Sequence, residues 1–161
     1  MEGTYDVVEF EISGQSYAVD IHLTREIVRM MPITPVPHTQ SHLAGIINLR
    51  GEITKIIDLR EMLSLKGGEY IKSQKIIVFM PDATNGVHAG MIVDKIHSVI
   101  RVDAANIENV DENTDSSMAE YVKGFIKISL DKADRRKEGI DENKIIIWLD
   151  IEKIMKRVVQ E

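Results

Sequence analysis

A chain of 161 residues, 43% hydrophobic and 29% charged, is long enough to bury one real core and too short for a multidomain enzyme. Its formal net charge of −6 disfavours nucleic acid as a partner, and the absence of cysteine excludes disulfides, zinc fingers, iron–sulfur clusters and thiol nucleophiles. The 24 Ile and 14 Val against 8 Leu point to strands, because β-branched side chains lose χ1 freedom in helices and pack well on pleated surfaces; an A+T-rich coding sequence would also inflate isoleucine. Met1 opens no leader pattern, and the longest apolar runs, about six residues, are too short to span a bilayer, so a soluble, intracellular protein is expected.

In chain order, residues 5–12 (YDVVEFEI) alternate as a half-buried strand, 13–15 give a turn signal, and 16–21 alternate again, which predicts a hairpin. Residues 22–29 read as a short helical turn leading into an extended segment. Pro32, Pro35 and Pro37 mark an extended connector or edge. The runs 44–49 and 52–59 flank Arg50-Gly51 as a second tight hairpin, and Asp58 is placed to cap a short helix over 59–65. Gly67-Gly68 is the best halfway joint. Runs at 75–80, 87–93 and 96–102 with short links predict a three-stranded meander. A polar acidic loop over 103–120, a strand over 121–130, a charged tip over 131–143 and a returning strand over 144–149 follow. Asp150 then caps a C-terminal helix, about 150–159, with Ile151, Ile154, Met155 and Val158 on one stripe. Short strands with regular turns, in two sets, predict an all-β fold of two small barrels that share apolar surface.

Catalytic and phosphate-binding patterns are thin. Residues 67–73 (GGEYIKS) lack the spacing and Gly-Lys pair of a Walker loop, and neither GxGxxG nor GxSxG occurs. His38 and His42 are four apart but have no third ligand in pattern, and His88 and His97 alternate with apolar residues inside strands. Arg135, Arg136 and Lys137 are surrounded by carboxylates and read as a solvated tip. Glu26 and Asp58 sit beside apolar sequence. Arg50, at a hairpin corner, projects from rigid backbone and can contact a carboxylate bidentately, or serve as a plain turn residue. No metal or cofactor is expected.

Residues 45–59, GIINLRGEITKIIDL, resemble the signature of the CheW-like chemotaxis coupling proteins, through Asn48-Leu49-Arg50-Gly51 and Ile57-Asp58-Leu59-Arg60. YAVDIHLTREI from Tyr17 and GMIVDKIHSVI from Gly90 are similar to two further family segments, with Ala18 where glycine is frequent. The resemblance spans about residues 7–155. It implies a single domain over 1–161 made of two SH3-like five-stranded β-barrels with an apolar seam, the first over about 14–68 plus terminal elements and the second over about 69–145. It also implies a non-catalytic adaptor that joins the cytoplasmic hairpin tip of transmembrane chemoreceptors to the regulatory domain of the histidine kinase CheA, recruited to the inner membrane face without inserting.

By motif, the resemblance places Arg50, Glu26, Gly45 and Asn48 at or beside partner-binding surface, with Thr24 and Ile76 near the same groove. Glu26 and Arg50, opposite in charge, are expected within ion-pair reach on one face. Two departures from the family pattern are Lys55, where proline is usual and an edge would be less blunted, and the long 131–143 tip, which reads as a tolerated insertion. A scaffold serving a non-chemotaxis receptor–kinase pathway is one alternative. A small-molecule-binding barrel using His88 and Glu26 in the inter-barrel groove is another.

Overall fold

The fold was obtained as a computed structural model, which describes residues 3–37, 42–110, 121–129 and 143–159. His38, the 111–120 part of the acidic loop and the charged tip with Arg135, Arg136 and Lys137 lie outside the described residues. The strands are β1 (Thr4–Ile12), β2 (Gln15–Asp20), β3 (Thr24–Arg29), β4 (Leu43–Leu49), β5 (Glu52–Ile57), β6 (Lys75–Phe79), β7 (Ala89–Val93), β8 (Lys95–Asp103), β9 (Ile107–Asn109), β10 (Val122–Ser129) and β11 (Asn143–Leu149). Among the described residues one α-helix, α1 (Ile151–Val159), follows.

Two sheets form, in the orders β8-β1-β2-β11-β10-β9 and β3-β6-β7-β5-β4. Both curl. In the first sheet the edge strands β8 and β9 are consecutive in the chain, joined by a 3-10 turn at Ala104–Asn106, and Val102 and Ile107 from those two edges pack into one cluster with Ala18 and Trp148. In the second, the chain leaving the edge strand β3 returns to the far edge: Thr34 and Ile46 of β4 exchange two backbone hydrogen bonds of 2.9 Å. These contacts bring the opposite edges of each sheet near one another and cover part of the strand edges that invite mispairing.

The apolar side chains divide into three clusters that follow the period-2 alternation of each strand. Ile76 and Val78 of β6 point into the second curled sheet with Ile47 and Ile56, while the intervening Ile77 and Phe79 join Val8, Phe10, Ile12 and Met91 in the seam between the sheets. Strands buried on both faces read as continuous apolar runs, which is why β6 and β7 are KIIVF and AGMIV. Helix α1 closes one end of the seam. Its stripe of Ile151, Ile154, Met155 and Val158 packs with Ala83 of the 3-10 turn at Pro81–Thr84, and the Asp150 carboxylate accepts the Lys153 N–H at 3.1 Å as an N-cap.

Four expectations change. Residues 75–102 are not a meander: β6 and β7 pair in one sheet, but β8 crosses at Asp94 to pair with β1 in the other. Alternation shows which faces of a strand are buried and is silent on its partner. The helix over 59–65 is a run of turns carrying a Leu63 N–H to Leu59 carbonyl bond of 2.9 Å, and Ser64 at φ 60° leaves helical space. Gly67-Gly68 is not a boundary between sheets, since β5 and β6 on either side belong to one sheet; that sheet is continuous over β3 to β7, and the other is assembled from β1–β2 and β8–β11. Lastly, Lys55 lies on no edge, because β5 is flanked by β4 and β7, and its N–H donates to the His88 carbonyl at 2.9 Å.

Candidate functional site

The β4–β5 hairpin carries the signature residues. Its two-residue turn puts Arg50 at φ 51° and Gly51 at φ 87°, the primed geometry whose twist matches the flanking strands. Asn48 sets it: its side-chain carbonyl accepts the Gly51 N–H at 2.9 Å. Arginine is a poor residue for the left-handed region, where Asn or Gly would be unstrained, so its presence at this corner points to a use for the guanidinium. That group donates to the Glu26 carboxylate on β3. The expected Glu26–Arg50 ion pair is therefore present, and the Glu26 bond and charge raise the Arg50 pKa further above its ordinary value.

The pair has neighbours that the motifs did not single out. Arg25 Nη1 lies 3.5 Å from Glu52 Oε2, and His88 Nδ1 lies 3.6 Å from the same oxygen. β3 and β4 are opposite edges of the sheet, so Arg25–Glu52 and Glu26–Arg50 together span from one edge to the hairpin at the other. The signal was readable: Arg25-Glu26 and Arg50-Gly51-Glu52 carry their charges in complementary antiparallel order. With Arg50 61% and Glu26 25% exposed, the pair contributes little to stability and leaves a charged, fixed surface feature. Exposed Ile27 and Ile53 adjoin it in sequence.

The other expected residues fall into distinct roles. Thr24 begins β3 beside the ion pairs, its hydroxyl 3.4 Å from the Asp20 carbonyl. Gly45 is constrained by the fold: at φ 151°, a Cβ there would sit 2.3 Å from the Thr34 carbonyl oxygen, within the contact that closes the sheet. Ile76 requires a correction, since it is fully buried among Ile47, Ile56 and Val78 and shapes the core instead of a partner surface. His88 and Glu26 do not share a ligand site, because Glu26 is taken by Arg50 and His88 faces Glu52. No metal-binding group of three or more His, Cys, Asp or Glu gathers among the described residues.

Asp58, in the second half of the signature, holds the loop that follows β5. Its carboxylate accepts the Arg60 side chain at 2.7 Å, the Arg60 N–H at 3.0 Å and the Tyr70 hydroxyl at 3.0 Å, and Arg60 donates onward to the Gly68 carbonyl at 2.9 Å. Burial alone would raise the Asp58 pKa, but these hydrogen bonds outweigh it and hold the carboxylate below its ordinary value.

This arrangement of two curled sheets, an apolar seam and a fixed charged hairpin is a docking scaffold. The CheW-like domain family model matches residues 6–159. The chain is 29% identical over 154 residues to the chemotaxis protein CheW of Thermotoga maritima, covering 96% of this chain and 89% of that one. It is 33% identical over 121 residues to the chemotaxis protein CheW of Bacillus subtilis, covering 73% and 76%. The crystal structure of the scaffolding protein TtCheW from Thermoanaerobacter tengcongensis is similar with a TM-score of 0.70 and 30% identity, over 92% of this chain and 89% of that one. The chain belongs to the CheW-like family, and its role is that of a chemotaxis coupling adaptor.

Proposed function

We propose that this protein couples the cytoplasmic hairpin tip of transmembrane chemoreceptors to the regulatory domain of the histidine kinase CheA, acting by contact and without chemistry of its own. The observation that carries the reading is the Glu26–Arg50 pair, held at a turn whose geometry arginine does not favour. Arg50, Glu26 and Thr24 present the contact, whereas Asn48 and Gly45 shape the hairpin and the sheet closure behind it. A docking face needs apolar patches, a few charges that fix register, and a scaffold that does not reorganise expensively on binding. Curled sheets with a common seam meet that need. The protein works in the cytoplasm, drawn to the inner membrane face by its receptors.

The test is a pull-down of CheA regulatory domain and receptor hairpin by the wild-type protein and by Arg50→Glu. Wild type captures both; the variant, with two carboxylates facing each other, loses roughly tenfold in affinity for at least one. Its thermal midpoint stays near the wild-type value, as expected of an exposed pair. Equal capture by wild type and variant, or a collapsed midpoint, overturns the assignment of Arg50 to the docking face.

A further inference from the structure

The joint between β2 and β11 is the shortest strand pairing among the described residues. It matches Tyr17 with Ile147 and Ala18 with Trp148 in parallel and goes no further, whereas each of the other strand pairs matches three or more residues. It also joins segments far apart in the chain, Asp20 and Trp148 being separated by 128 positions, so a long loop must be closed to form it.

Just past this short ladder three side chains meet. The Asp20 carboxylate, at the end of β2 and 7% exposed, accepts the Trp148 indole N–H at 2.7 Å on one oxygen and the Lys123 ammonium at 2.8 Å on the other. Lys123 Nζ also lies over the Trp148 ring, 5.0 Å from its centroid, and the Tyr5 ring of β1 packs on the same indole at 5.1 Å. A buried carboxylate beside an aromatic face is what binds an ammonium ion. Here the chain supplies the ion itself.

The backbone of β10 is shaped to deliver it. Val122 pairs with Leu149 and Gly124 with Trp148, so Lys123 is the extra residue of a β-bulge, a device that interrupts a ladder and re-aims a side chain. Beside it, Gly124 lets β9 come so near that a Cβ would stand 2.8 Å from the Glu108 carbonyl oxygen. Without Lys123, Asp20 would be buried with no countercharge; without Asp20, the indole N–H would lose its acceptor.

We infer that Asp20, Trp148 and Lys123 form an ammonium site that the chain fills with its own lysine, and that this filled site latches the first sheet shut between β2 and β11. β11 runs directly into α1, whose apolar stripe covers one end of the seam, so the latch also governs how readily that end opens. The inference is independent of the Arg50 reading, whose residues lie on the other sheet.

Chemical rescue tests it. Lys123→Ala should lower the thermal midpoint by roughly 5 °C. Propylammonium chloride, whose cation replaces the missing side-chain atoms, should return at least half of that loss when compared with sodium chloride at equal ionic strength. It should leave wild type and the double variant Lys123→Ala with Asp20→Asn unmoved. Emission from Trp148, the single tryptophan of the chain, should shift to the red in Lys123→Ala and return with propylammonium. In hydrogen exchange, the amides that join β2 to β11 should accelerate in Lys123→Ala at least roughly tenfold more than those of β6 and β7. Asp20→Asn, which keeps an acceptor for the indole N–H and loses the charge, should show the same local acceleration and no response to propylammonium. A midpoint unchanged in Lys123→Ala, rescue by sodium as good as by propylammonium, rescue that persists in the double variant, or acceleration spread evenly over both sheets overturns the proposal.

Discussion

At the scale of single residues, the signature segment mixes two jobs that a motif cannot separate. Asn48, Gly45 and Asp58 are as constrained as Arg50, but by the chain's own local contacts: with the Gly51 N–H, with the Thr34 carbonyl, and with Arg60 and Tyr70. Beside the exposed Arg25–Glu52 pair, Arg50 and Glu26 instead spend their charges at the surface. That pair was legible because both residues carry opposite charge in matched motifs; the burial of Ile76 was not, because a residue in a doubly buried strand has no period-2 signature to show which core it faces. Asp58 makes a testable case. Its folded pKa is depressed, so its stabilisation is fully present above the unfolded carboxylate value of about 3.9 and is lost as pH falls through the lower folded value. Asp58→Asn should therefore lower stability by roughly 1–3 kcal/mol at neutral pH. In urea melts repeated at falling pH, the gap between variant and wild type should narrow below about pH 4; a constant gap would mean that the Asp58 charge is not what holds the loop.

At the scale of elements, hairpins and the capped helix were readable from local chemistry. The β1–β2 and β4–β5 turns have their glycines in place, and α1 has its aspartate and stripe. Strand partnership was not readable, since β8 leaves its predecessor after one intervening residue, Asp94, and that residue is what makes the crossing possible. Asp94 Oδ2 accepts the Ser13 N–H at 2.7 Å from the β1–β2 turn, its Oδ1 accepts Gln74 Nε2 at 3.0 Å, and its own N–H donates to the Glu11 carbonyl at 2.9 Å. The second expected helix failed for a related reason: a seven-residue candidate cannot meet the cost of nucleation by propensity alone, and the Asp58–Arg60–Tyr70 cluster offers its backbone a turn instead. Asp94→Ala should cost roughly 2–3 kcal/mol by removing two hydrogen bonds to a charged acceptor. Amide exchange at Ser13 should accelerate more than exchange within β6 or β7; uniform acceleration everywhere would show that Asp94 supports global stability and not the junction.

At the scale of the whole molecule, the largest apolar cluster belongs to neither sheet. Phe10, Tyr17 and Val19 from one sheet meet Ile57, Phe79 and Met91 from the other, and α1 lies across the end. Neither sheet keeps that surface dry alone, so unfolding should be one cooperative event in spite of the two-lobed architecture. Phe10→Ala, at a fully buried site, should cost about 3–5 kcal/mol and shift a single calorimetric transition. Two resolved transitions, with only one moving, would show sheets that are stable apart. The total of about ten strands and their mutual seam could be foreseen from isoleucine-rich runs, but their allocation depends on contacts distant in sequence and leaves no local trace.

The first sheet is discontinuous: β2 is completed by parallel pairing of Tyr17 and Ala18 with Ile147 and Trp148 of β11. On the ribosome, β3 to β7 emerge with every strand partner they require, while the earlier-made β1–β2 hairpin must wait, with an apolar face uncovered, for strands not yet translated. The order of synthesis is thus inverted relative to the order in which the sheets can be finished, and the interval between them is when a nascent chain of this kind is most open to capture by a chaperone or by another copy of itself.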